Sequence, residues 1–240
     1  MPQFLIPPGY QVGETVELAQ DESHHIRNVF RLQRGAAVRL FDGQAAFLGR
    51  IDEVGVKVVT VYLEKKLASS QNPRPIILYQ ALLKGEKMEW VLQKSTELGV
   101  DEIHPFTSER TVVKLTGKDK TERWQKICDQ AVKQCGRDNR PIVNPTMTFV
   151  EVLKELQDQS AILCWEGTPA VPIREIFNTP SEKPLCILIG PEGGFSQNEV
   201  TQAKATGCLV VTLGAQTLRA ETAALVALAI VHYEISRGET

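Results

Sequence analysis

The chain has 240 residues, 42% of them hydrophobic and 23% charged, with a formal net charge of −2. This is ordinary globular composition, which excludes disordered, collagenous and coiled-coil chains and allows one large domain or a small one followed by a larger one. The longest apolar run, Ala223 to Val231, is nine residues, short of the ~18 to 20 that cross a bilayer, so no membrane span is expected.

The N-terminus, Met1 to Pro8, has no cationic region ahead of a sustained apolar stretch. It does not read as a secretory signal, and the protein is expected in the cytoplasm. Short strand-like runs follow, Thr15 to Leu18, Ala37 to Phe41, Ala45 to Ile51 and Val56 to Leu63, with Asp42-Gly43 as a hairpin signature. They predict a small, mostly β barrel or sheet. One helix interrupts it, with Ser23 as its expected N-cap. Ile26, Val29 and Phe30 repeat at the spacing of a buried stripe, while His24, Arg27, Arg31 and Arg34 form a cationic edge on another face. Leu67 to Pro75 gathers small, polar and proline residues and reads as a linker, which puts the domains at 1–72 and 73–240.

Beyond the linker, apolar runs at Ile76 to Leu83, Ala161 to Trp165, Leu185 to Ile189 and Leu209 to Leu213 alternate with helical periods. The helices are expected at Glu86 to Leu98, Thr121 to Cys135, Phe149 to Leu156, Glu199 to Thr206 and Ala220 to Ile235. This α/β alternation predicts a largely parallel sheet covered on both faces, with ligands beyond the carboxyl ends of its strands. In the second of these helices Trp124, Ile127, Cys128, Ala131, Val132 and Cys135 share one face. The last helix is apolar nearly all round and needs cover on every side, either within its own domain or across a subunit interface. The five cysteines, Cys128, Cys135, Cys164, Cys186 and Cys208, form no C-x-x-C pair and have no histidines at ligand spacing. They read as buried free thiols, and no metal site is expected.

Charge is uneven along the chain. Residues 74–140 carry 13 Lys and Arg against 10 Asp and Glu, whereas residues 141–240 carry 6 against 11. A local basic face binds a polyanion whatever the total charge. Lys84, Lys87, Lys94, Arg110 and Arg137 all lie in the basic third and are read as phosphate contacts, with solvated surface charge as the simpler alternative.

Two glycine-containing loops follow two of the apolar runs. Ile189-Gly190-Pro191-Glu192-Gly193-Gly194-Phe195 precedes Ser196-Gln197-Asn198-Glu199, a capping box that starts the next helix. Its spacing matches neither dinucleotide nor triphosphate motifs; it suits a ligand approaching bare backbone, or a plain strand-to-helix turn. Leu213-Gly214-Ala215-Gln216-Thr217-Leu218-Arg219-Ala220-Glu221-Thr222-Ala223 leads into the apolar helix. Arg219 and Glu221 there are charges at the mouth of a buried element, either an ion pair or functional groups. G-x-S-x-G and H-E-x-x-H are both missing, and the adjacent His24 and His25 cannot share a helical face, so hydrolase and metal chemistry lose support.

Taken together these motifs resemble one family. His24-His25-Ile26-Arg27-Asn28-Val29-Phe30-Arg31, Lys84-Gly85-Glu86-Lys87-Met88-Glu89-Trp90 running to Glu97-Leu98-Gly99-Val100, Gln134-Cys135-Gly136-Arg137 and the two glycine loops occur in the order found in bacterial 16S rRNA uridine-N3 methyltransferases of the RsmE type, within the SPOUT superfamily. The resemblance covers almost the whole chain. It implies an N-terminal PUA-like β-barrel that binds RNA and a C-terminal SPOUT α/β domain with a parallel sheet and a trefoil knot. It also implies S-adenosyl-L-methionine as cofactor, an obligate homodimer, and 16S rRNA or the 30S subunit as substrate.

Carried onto this sequence, the resemblance implies cofactor contacts from Leu163, Trp165 and Glu166, from Ile189, Gly190, Glu192, Gly194 and Phe195, and from Leu213, Gly214, Leu218, Thr222 and Ala223. Arg219 is the expected catalytic cation, oriented by Glu221, and favours the uracil anion electrostatically. RNA contacts are expected from Arg27, Arg31, Lys84, Lys87, Lys94, Arg110 and Arg137. The family commonly has Arg where Gln216 stands and Ile or Val where Thr217 stands. Two alternatives remain at this point: a SPOUT enzyme acting on a ribose 2′-hydroxyl or another base, and a non-catalytic RNA-binding or ribosome-assembly factor.

Overall fold

The computed structural model describes residues 1–68, 74–113, 120–177 and 181–237. Two compact units divide the chain: Met1–Gln71 with Asp129–Arg140, and Asn72–Cys128 with Pro141–Thr240. Most of the expected linker, with its boundary at 72/73, lies outside the described residues.

The first unit contains β1 (Gln3–Leu5), β2 (Thr15–Glu17), α1 (Gln20–His24), β3 (Ala37–Phe41), β4 (Ala46–Val54) and β5 (Val59–Lys66). Its sheet has the order β1-β3-β4-β5-β2, with β1 parallel to β3 and the other pairs antiparallel. Val59, Val61 and Leu63 point into the core and alternate with Thr60 and Tyr62, the period of a half-buried strand. Irregularities in β4 at Leu48/Gly49 and Ile51/Glu53 bend it over that core. A Cβ at Gly49 would lie 2.6 Å from Leu40 and 2.7 Å from Val61, so only glycine fits there. The hairpin between β3 and β4 turns at Gly43-Gln44, one residue later than Asp42-Gly43. Asp42 caps it, its Oδ1 accepting the Gln44 and Ala45 N–H groups at 2.9 and 2.7 Å.

The helix of this unit departs from expectation. It starts at Gln20 and continues as a π-helical turn, His25–Phe30. Ser23 is buried inside it rather than capping it, its hydroxyl donating to Leu18 O and accepting from Val59 N–H. Ile26 is buried, but Val29 and Phe30 are exposed, because a wider turn than 3.6 residues carries them off the buried stripe. The segment Asp129–Arg140 completes the unit. Val132 packs with Phe41 and Ala46, Lys133 pairs with buried Glu22, Asp138 pairs with Arg39, and Gln3 donates to Arg137 O at 2.7 Å.

The second unit contains β6 (Ile76–Ala81), α2 (Lys87–Glu97), β7 (Glu102–Thr107), α3 (Thr121–Cys135, in this unit as far as Cys128), β8 (Ile142–Val143), β9 (Met147–Thr148), α4 (Phe149–Glu155), β10 (Ser160–Cys164), β11 (Val171–Pro172), β12 (Leu185–Ile189), α5 (Gln197–Ala205), β13 (Leu209–Thr212) and α6 (Ala220–Arg237). The sheet is parallel throughout, in the order β11-β13-β10-β12-β6-β7-β8, with β9 also on β7. Strand β7 was not expected, because Glu102, His104 and Pro105 break its apolar run. One face of the sheet is covered by α2, α6 and the first half of α3 through Val91, Leu92, Trp124, Ala224 and Leu228; the other is covered by α4 and α5 through Phe149, Val152, Val200 and Ala203. Burial on both sides explains the continuous apolar strands.

One expectation needs correction here. Cys135 is exposed, while the other four free cysteines are buried; it ends α3, past the last buried turn. Helix α6 is covered only in part within the chain: Ala224, Ala227, Leu228 and Val231 are buried, whereas Leu225, Val226 and Ile230 are partly exposed and Ala229 is exposed. Among the described residues no helix is long and apolar enough to cross a membrane.

Candidate functional site

Strands β13, β10 and β12 lie side by side, with Cys164 paired to both Ile189 and Val211, so the loops beyond their carboxyl ends converge. This is where ligands bind in parallel α/β sheets. Two hollows open there. Trp165, Leu213, Gly214, Ala215, Gln216 and Thr212 line the first; Ile189, Gly190, Pro191, Glu192, Gly193, Gly194, Phe195 and Ala220 line the second. Cys164, Glu166, Thr217, Leu218 and Ala223 line both, so the hollows adjoin.

Leu163 and Thr222 stand apart from these walls. Successive side chains of a strand point to opposite faces, so Leu163 is buried in the opposite core and Cys164 faces the hollow. The phase of the strand is the signal that would have found Cys164. Burial pushes its thiol up to about 12, with Cys208 a smaller contribution, so it presents a neutral SH at physiological pH.

The loop after β12 is held rigidly. Phe195 is buried and stacks on Phe106 at 6.3 Å, with Phe149 at 5.8 Å. The capping box forms as expected: Ser196 Oγ accepts Glu199 N–H and Glu199 Oε2 accepts Ser196 N–H, while Glu199 Oε1 accepts Glu109 N–H. Between these anchors the wall is bare backbone. A Cβ on Gly190 would lie 3.2 Å from the Phe195 ring, and one on Gly194, where φ is +67°, would lie 2.5 Å from Glu166 Oε1.

Electrostatics decide which ligands fit. The hollows are lined by two carboxylates, Glu166 and Glu192, and by no Lys, Arg or His among the described residues. Such walls suit a ligand that carries positive charge and oppose a phosphate-rich one. Glu192 Oε1 accepts Lys84 N–H at 3.0 Å and lies 3.6 Å from Lys87 Nζ. Burial alone would raise the Glu192 carboxyl, but the backbone N–H groups of Lys84 and Glu192 and the Lys87 ammonium outweigh it and hold the group below its ordinary range.

Lys87 Nζ also lies 3.5 Å from Glu221 Oε2, a buried oxygen with no hydrogen bond. The pairing of Glu221 with Arg219 is therefore corrected: Glu221 faces Lys87, and Arg219 is exposed with no acidic partner among the described residues.

The expected basic set is dispersed in the structure. Lys84 and Lys87 meet at Glu192, and Arg110 donates to Gly193 O at 3.0 Å, so three of the seven gather on the glycine loop. Lys94 pairs with Glu97 at 2.8 Å. In the first unit Arg27 donates to Gly55 O and Val56 O, Arg137 bonds Asn139, and Arg31 is exposed. Among the described residues no group of three or more His, Cys, Asp and Glu is placed to hold a metal ion.

Comparisons with known proteins show the family. Residues 70–232 match the RNA methyltransferase domain family, and residues 18–59 match the RNA methyltransferase PUA domain. The ribosomal RNA small subunit methyltransferase E of Bacillus subtilis is 32% identical over 94% of this chain and 93% of its own, and that of Synechocystis 31% over 96% and 77%. Among solved structures, the Neisseria gonorrhoeae ribosomal RNA small subunit methyltransferase E bound to S-adenosyl methionine superposes with a TM-score of 0.89 at 33% identity, covering 97% of both chains. A Legionella pneumophila methyltransferase in complex with the same cofactor gives 0.85 at 33% identity, covering 96% of each. The fold, the hollow at its strand ends and these full-length likenesses place the chain in the ribosomal RNA small subunit methyltransferase E family, with its PUA and RNA methyltransferase domains.

Proposed function

We propose that the protein transfers the methyl group of S-adenosylmethionine to N3 of a uridine in 16S ribosomal RNA. The observation that carries this reading is the glycine-walled, carboxylate-bearing hollow at the ends of β10, β12 and β13. Gly190, Gly194, Glu166, Leu218 and Ala223 would hold the cofactor, which supplies a methyl already activated on a sulfonium. A Cβ at Gly194 would press on Glu166 within that lining, and the acidic lining suits a cationic guest.

The chain's own residues have the remaining tasks. Uridine N3 carries a proton and is engaged in pairing, so the base must be unstacked and held in line with the methyl group. Arg219, exposed and without an acidic partner among the described residues, favours the anion that uracil becomes when N3 loses its proton to water. The Glu192, Lys87 and Glu221 contacts tie the glycine loop to α2 and α6 and keep that wall in place. Arg31 and Lys84, whose side chains are exposed, serve as phosphate contacts. The partly exposed apolar side chains of α6 support a homodimer with a second copy of the chain, and a 16S rRNA substrate supports a cytoplasmic location.

Tritiated methyl transfer to unmodified 16S rRNA and to 30S particles, followed by nucleoside identification, tests the proposal. It predicts 3-methyluridine as the labelled product. A 2′-O-methyl nucleoside or another methylated base overturns the assigned acceptor atom, and no transfer to either substrate overturns the activity.

A further inference from the structure

The first unit carries an apolar and cationic arc whose apolar members, Val29 and Phe30, have no part in the proposed function. On the π-helical turn Ile26 alone is buried, and Val29 and Phe30 are 61% and 49% exposed, followed by exposed Arg31. Two large apolar side chains kept adjacent and half open to water leave apolar surface for a partner to cover. The backbone is unusual at the same place. π-Helical turns are rare and recur at functional sites. Arg31 ends this one in the left-handed region, φ 53° and ψ 37°, which residues other than glycine seldom adopt.

The Phe30 ring is already fixed. It meets Phe4 edge to face with centroids 5.9 Å apart, so it is held while half of it stays open to solvent. Arg27 is committed elsewhere, donating to Gly55 O and Val56 O. Arg31 has no acidic partner among the described residues, which leaves its charge available beside the ring.

We infer that Phe30 is a stacking platform for an unpaired nucleobase of the RNA substrate, with Arg31 taking a neighbouring phosphate. Every base has a π face, an anchored ring loses little freedom on stacking, and the unpaired cation complements a polyanion. This inference rests on the rRNA methyltransferase reading and extends it. The base at Phe30 is a second nucleotide, distinct from the uridine that is methylated, and it is held within the residues that match the RNA methyltransferase PUA domain.

The test uses the full-length protein and its Phe30→Leu, Phe30→Trp and Arg31→Ala variants, with unmethylated 30S particles as substrate across a salt series. Leucine keeps the contact with Phe4 and removes the π face. Phe30→Leu is expected to raise KM for 30S particles about tenfold with kcat, cofactor KM and salt slope unchanged, and Phe30→Trp to restore it. Arg31→Ala is expected to raise KM and flatten the salt slope by about one phosphate contact. Unchanged KM in Phe30→Leu, a weakening that is lost when naked 16S rRNA replaces the particle in a binding assay, or an altered oligomeric state on sedimentation would each overturn the platform. These outcomes are read against an active parent enzyme; a parent that methylates no rRNA overturns the underlying activity instead.

Discussion

Arg219 stands just before the first residue of α6, where the helix dipole opposes a cation and the Ala223 N–H already bonds its carbonyl at 2.8 Å. With no acid beside it among the described residues, that charge is available to a bound substrate, and its proposed target is the uracil anion. Arg219→Ala is expected to lower kcat about 100-fold and leave the cofactor dissociation constant within about twofold, as single-turnover methylation and calorimetry would show. Turnover equal to the parent removes Arg219 from the mechanism. Lys87 acts differently, since its ammonium is the cation shared by Glu192 and Glu221. Lys87→Met unties the glycine loop from α2 and α6 and is expected to weaken cofactor binding by displacing that wall, with Lys87→Arg restoring it. Sequence proximity suggested the wrong partner for Glu221, because residues two apart at a helix start do not face each other. The true partner is far away in the chain and is not signalled by any local pattern. The lining residues were more legible: the glycine loops named most of the wall, and only strand phase separated Cys164 from Leu163.

At the scale of elements, the loop after β12 depends on the helix that follows it. Ser196→Ala removes a side-chain acceptor at the N-terminus of α5 and is expected to cost about 1 kcal/mol in urea unfolding, with Ser196→Asp retaining most of it. The Glu192 carboxyl, held below its ordinary range, contributes stability that is fully present above the unfolded value and is lost as the pH falls through the lowered folded value. Thermal melts from pH 7 to pH 3 are therefore expected to show Glu192→Gln losing less stability than the parent below about pH 4.5, the carboxyl's unshifted value. A parallel acid limb in the two proteins contradicts that role. The buried strands β6, β10, β12 and β13 were legible because burial on both faces writes a continuous apolar run. Strand β7 was not, since its pattern is broken by Glu102, His104 and Pro105, and the π-helical turn was not, since the spacing of Ile26, Val29 and Phe30 also suits an ordinary helix.

At the scale of the whole molecule, α6 leaves Leu225, Val226 and Ile230 only partly covered, and a second copy of the chain is the proposed cover. Replacing Leu225 and Val226 together by Lys is expected to convert a dimer to monomers on sedimentation; a parent that sediments as a monomer contradicts this. Composition and alternation were enough to predict a β unit followed by a parallel α/β unit. They carry no sign of the trefoil knot that the family resemblance implies, because threading of a chain leaves no local pattern. The central claim is that the bare-backbone hollow at the three strand ends is the cofactor site. Calorimetric titration of S-adenosylmethionine into the parent and into Gly194→Ala tests it most directly, since the added Cβ would lie 2.5 Å from Glu166 Oε1 at a positive φ. The account predicts saturable binding to the parent and at least about tenfold weaker binding to the variant, with a melting temperature lowered by only about 2 to 4 °C. Equal affinity in the two proteins, or no binding to the parent, would contradict it.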